Sequence, residues 1–148
     1  MRFVCGDFGL SDLPRRGLTP QEAPLEVLLL DIEAELSILE QGRMVWSERE
    51  FPVAELAYHL ARWLQSPGVG HEDFELDSMQ AEEGLIRIVN SAEGWRIGSL
   101  YTPDFWTAPV PWSVLVTAIE QLDRAVRDGI AALGIEPDFI PELPGHSA

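Results

Sequence analysis

Between Leu25 and Ile38 the chain alternates. Leu28, Leu30, Ile32, Ala34, Leu36 and Ile38 share one parity, and Asp31, Glu33, Glu35 and Ser37 share the other. Successive side chains of a strand point to opposite faces, so this spacing predicts a long half-buried strand with an acidic outer face. Glu40-Gln41-Gly42-Arg43 then supplies a turn and Met44 to Glu48 a return strand, which predicts a hairpin. At Pro52 the period changes. Val53, Leu56, Ala57, Leu60, Ala61 and Leu64 recur at helical spacing, with Glu55, His59 and Arg62 on the outer face and Pro67-Gly68 as the stop.

Three more strands follow, from Asp73 to Met79, Leu85 to Asn90 and Trp95 to Tyr101, the last two joined by Ser91-Ala92-Glu93-Gly94. Thr102 to Pro111 reads as a proline- and aromatic-rich loop. Leu115, Ala118, Ile119, Leu122, Val126 and Ile130 then form the apolar stripe of a long helix that Gly134 and Pro137 end. Phe3 to Phe8 has enough β-formers for a short strand, and Ser11 to Pro20 reads as loop. The order β-ββ-α-βββ-α, with short connections, predicts an α+β single domain over residues 1–140. Its core is a mainly antiparallel, curved sheet of about five strands packed with two amphipathic helices. Two helices cannot cover both faces of such a sheet, so one face is expected to be exposed. Residues 141–148 read as a loose tail.

At 148 residues, with hydrophobic side chains at 46% and charged ones at 24%, the chain has the composition of a globular domain. The longest apolar run, Val27 to Leu30, is far too short to cross a bilayer, and the N-terminus has no apolar signal region. One cysteine, Cys5, cannot form an internal disulfide, which agrees with a cytoplasmic, reducing compartment; its place in a strand marks it as a packing residue. Charge changes the picture most: 25 acidic residues stand against 10 basic ones, every one of them arginine, for a formal net charge of −15. Such a field repels nucleic acid and anionic membrane and favours basic partners, cations or simple solubility.

Much of that charge falls on the outward parity of two predicted strands, at Asp31, Glu33 and Glu35 and at Asp73, Glu75 and Asp77. If these strands are neighbours, they form a carboxylate field that arginine-rich partners could bind bidentately. The bland alternative is a solvated sheet face. Carboxylates two apart on one strand diverge by roughly 7 Å, so one strand alone makes no metal chelate. The run His71 to Glu75 lacks the second histidine of a metalloprotease motif, and neither a metal nor a cofactor is expected. Phe105 and Trp106 are the candidate exposed anchors of the 102–111 loop, whereas Trp95 and Trp112 follow core positions. No nucleophile elbow or phosphate-binding glycine loop is present, so no catalytic residue is assigned.

Phe74-Glu75-Leu76-Asp77-Ser78-Met79, Gly84-Leu85-Ile86-Arg87-Ile88 and Gly94-Trp95-Arg96-Ile97-Gly98-Ser99 resemble segments of small uncharacterised actinobacterial proteins, over most of the chain. In layout and acidity the chain also resembles immunity proteins that neutralise polymorphic bacterial toxins, a likeness at the level of fold. That second resemblance implies occlusion of a basic partner by Asp31, Glu33, Glu35, Glu75 and Asp77, with Phe105 and Trp106 as anchors. A non-enzymatic, immunity- or antitoxin-like binding module is therefore the leading expectation. A small-molecule binder or small enzyme with a pocket under the 102–111 loop is the second, and a homodimer through the exposed sheet face the third.

Overall fold

The computed structural model describes residues 1–10, 17, 19, 22–66, 72–76, 86–99 and 102–144, with side chains at all of these except 30 and 102–105. The elements are β1 (Arg2–Leu10), α1 (Leu25–Asp31), β2 (Ile32–Glu40), β3 (Arg43–Phe51), α2 (Val53–Gln65), β4 (Phe74–Glu75), β5 (Arg87–Ser91), β6 (Gly94–Ser99), β7 (Thr102–Trp106) and α3 (Trp112–Ala132), followed by a 3-10 turn at Pro137–Phe139. Every strand pair is antiparallel, in two sheets ordered β1-β2-β3 and β4-β5-β6-β7. The α+β class and the antiparallel pairing are those the sequence predicts. The strands, however, divide between two small sheets instead of forming one curved sheet, and residues 102–106 of the expected loop form β7.

One expected strand begins as a helix. Leu25 to Asp31 is α1, and the strand starts only at Ile32. Leu25, Leu28, Leu29 and Ile32 fit the i, i+3, i+4, i+7 spacing of a helix as well as the longer run fits alternation, and so short an apolar segment satisfies both periods. Pro24 at the N-cap lacks the N–H that a strand ladder would use. The other elements follow their patterns. Glu40 pairs with Arg43 across Gln41 and Gly42, whose φ values of 51° and 76° are those of a type I′ turn. Ser91 pairs with Gly94 across a second two-residue turn. A Cβ at Gly94 would lie 2.8 Å from the Val110 carbonyl oxygen, so the close approach of that segment requires glycine here.

The buried apolar side chains form one cluster. Ile32, Leu36 and Ile38 face inward from β2, α2 packs on β2, α3 packs on β1 and reaches β6, and α1 packs on α2. The helices thus lie on the core side of the first sheet, and among the described residues none covers its other side. Glu55, expected outside α2, is instead only 1% exposed. The first turn of that helix is buried all round, from Val53 to Ala57, and a carboxylate there faces the positive end of the helix dipole. In the second sheet, Phe74, Ile88, Trp95 and Ile97 face the core. Trp63, Trp95 and Trp112 meet there with ring centroids 5.0 to 5.7 Å apart, joining α2, β6 and α3. Residues 141–144 are not a loose tail, for Leu143 is buried. The expected 11–20 loop (apart from residues 17 and 19), the Pro67-Gly68 stop and His71 lie outside the described residues. Among the described residues no helix is long and apolar enough to cross a membrane.

Candidate functional site

The uncovered face of the first sheet is shaped by two irregularities at the same level of β2. On one side Gly6 pairs with Glu35 and Gly9 with Glu33, so Asp7 and Phe8 together stand opposite Ala34. On the other side Leu36 pairs with Glu48 and Ala34 with Phe51, so Arg49 and Glu50 together stand opposite Glu35. Each is a β-bulge, which bends its strand and re-aims a side chain. Each also holds a non-glycine residue in the left-handed region, Asp7 and Glu50, both with φ of 53°. For an L-residue that conformation costs about 1–2 kcal/mol, less for aspartate than for glutamate.

Asp7 and Glu50 join Glu33, Glu35 and Arg49 around an open hollow of about 690 Å³ with Ala34 on its wall. Arg49 Nε lies 3.9 Å from Glu35 Oε2, and its side chain is 89% exposed. At that exposure the pair is a weak, solvent-screened contact, and the hollow keeps its negative character. Chemically it can accept guanidinium or ammonium donors. Among the described residues its wall holds no nucleophile or imidazole, and no three His, Cys, Asp or Glu side chains converge to hold a metal ion.

The sequence-predicted residues separate. Glu33 and Glu35 line the hollow. Asp31 does not: it ends α1 and is 4% exposed, because the helix turns it away from the outward parity of β2. Glu75 belongs to the other sheet, where its Oε2 lies 3.8 Å from Arg87 Nε, so the two acidic strands do not form one field. Asp77 and the side chain of Phe105 lie outside the described residues. Trp106 is half-buried: its ring lies over Gly98, where a Cβ would come within 2.4 Å, and the Arg96 guanidinium sits 5.8 Å from its centroid. The segment after it lies flat on β6. Trp95 and Val110 exchange backbone hydrogen bonds of 2.8 and 2.9 Å, Thr107 N–H donates to the Ile97 carbonyl, and Ile97 N–H donates to Thr107 Oγ1.

Sequence reasoning missed Asp7 and Glu50. Gly6 and Gly9 bracketing Asp7 within a strand are a bulge signal, while nothing in the pattern marks Glu50. Cys5 pairs with Leu36 on the core side of β1, and burial pushes its thiol up to about 12, which suits a packing residue.

No curated protein and no solved structure matches the chain. Residues 11–132, ending on the last residue of α3, match the family model described as a domain of unknown function (DUF7878), and the chain belongs to that family.

Proposed function

We propose that this protein is a non-enzymatic acidic binding module that takes a basic partner onto the uncovered face of its first sheet, in the manner of an immunity or antitoxin-like protein. One observation carries the reading: two bulges bring Asp7, Glu33, Glu35 and Glu50 around one hollow on a face that none of the described helices covers. A partner's arginine entering the hollow gains charge-assisted, bidentate hydrogen bonds from these carboxylates. The net charge of −15 speeds the encounter by steering. Val4 and Met44, the exposed apolar side chains paired with Ser37 and Leu39, offer anchoring area beside the acidic end.

The test is capture from a lysate of the native host on the immobilised chain, followed by titration of the recovered protein. A basic protein is expected, bound at least about tenfold more weakly at 0.5 M than at 0.1 M salt, and lost with Glu33→Gln/Glu35→Gln. Recovery of no basic protein, or binding indifferent to both salt and the double substitution, would refute the reading.

A further inference from the structure

Beyond α3 the chain turns at Gly134, whose φ is +83° and whose missing Cβ has open space around it. Ile135 N–H still bonds the Ile130 carbonyl, at 3.3 Å. After it, among the described residues, no backbone–backbone hydrogen bond ties the segment to the body, and the bond from Ile140 N–H to the Pro137 carbonyl is internal. Side chains hold it instead. A single guanidinium, Arg127, donates to the carbonyls of Pro137, Ile140 and Pro141 at 3.4, 3.1 and 2.8 Å. Asp123 Oδ2 fixes that guanidinium by accepting from its Nε at 2.9 Å. From α2, Gln65 Nε2 donates to the Glu142 carbonyl. Ile135, Ile140 and Leu143 are buried in the core cluster, while a cleft of about 310 Å³ between Asp123, Arg127, Glu142 and Leu143 leaves the seam partly open. The whole segment lies beyond residue 132, where the family match ends.

We propose that residues 135–143 are a detachable strap that pivots at Gly134, leaves α2 and α3 as one unit, and so uncovers an apolar groove able to receive an aliphatic segment with the strap's own turn-then-extended backbone. Here the groove is filled in cis by Ile140 and Leu143. Arg127 reads backbone carbonyls rather than side chains, so a competing segment needs the same short turn followed by extended residues, with two aliphatic side chains at that spacing. Since the strap has no ladder of backbone bonds to break, it opens without disturbing either sheet.

Two measurements on the full chain test this. In Ile140→Cys, the new thiol is expected to react with a disulfide reagent at a rate nearly independent of low urea, as local opening requires. Adding Arg127→Ala, or Gln65→Ala should the former fail to fold, is expected to raise that rate about tenfold while Cys5 reacts as before. A fluorescein-labelled peptide of residues 134–144 is expected to bind saturably to Ile140→Ser/Leu143→Ser, and neither to the unaltered chain nor to the triple variant with Arg127→Ala. The strap is refuted if the thiol at 140 reacts only with the steep urea dependence of global unfolding or ignores both second substitutions. The groove is refuted if the peptide binds none of the chains, or binds them all alike.

Discussion

Cys5 lies opposite Leu36 on β1, and its thiol, pushed up by burial to about 12 from an ordinary 9.0, stays protonated through neutrality. A raised thiol means that folding disfavours the thiolate. The associated stability is therefore full below about pH 9 and is lost as pH climbs towards 12. Urea midpoints of the wild type are expected to fall between about pH 7.5 and about pH 10.5 by more than those of Cys5→Ala; equal falls would show that other groups carry the alkaline loss. Gly129 makes a steric counterpart. In an exposed helix, glycine to alanine gains about 1 kcal/mol. Here the new Cβ would sit 2.4 Å from the Phe8 ring, where α3 closes on β1. Overpacking costs about 1–3 kcal/mol, so Gly129→Ala is expected to be destabilising in urea denaturation, and Phe8→Leu to remove most of the penalty in the double variant. A stabilising Gly129→Ala would mean that Phe8 swings aside freely.

Among the elements, α2, α3 and the hairpins closed by Glu40–Arg43 and Ser91–Gly94 were legible because each rests on a local, redundant signal, whereas the pairing of β6 with β7 was not. The helices have six or so stripe residues apiece; Gly42 takes the positive φ its turn requires, and Gly94 ends the second connection. α1 was not legible, because Leu25, Leu28, Leu29 and Ile32 serve either period, and misreading it carried Asp31 to the wrong face. Nor was the division into two sheets, since pairing partners depend on contacts between distant segments that no single strand encodes. The candidate site was half legible: Glu33 and Glu35 follow from parity, whereas Asp7 and Glu50 arrive by register shifts. Those bulges make a prediction of their own. Glu50→Gly relieves a left-handed glutamate and is expected to raise stability by about 1 kcal/mol while weakening capture of a basic partner. A gain in stability with unchanged binding would separate the bulge from the function proposed for it; a loss of stability would mean that the Glu50 side chain contributes more than its backbone costs.

For the molecule as a whole, 25 carboxylates against 10 guanidinium groups set a self-repulsion that salt relieves. The urea midpoint is expected to rise from about 0.02 M to about 0.3 M NaCl as the Debye length shortens, the opposite of what a fold held by surface ion pairs would show. Like charge also opposes face-to-face pairing of two copies through the acidic sheet, so sedimentation is expected to give a monomer at low salt; a dimer that persists there would place the interface elsewhere. The indole cluster at the meeting of α2, β6 and α3 has an optical consequence. With Trp95 and Trp112 only 5.0 Å apart and Trp63 within 5.7 Å of both, their excited states couple. The far-ultraviolet circular dichroism of the native chain, where the intense indole transition lies, should carry an exciton couplet that α2, β6 or α3 alone, each with one of the three indoles, does not produce. Its three chromophores come from elements distant in sequence, so the couplet records the moment in refolding when those elements dock, without any label being attached.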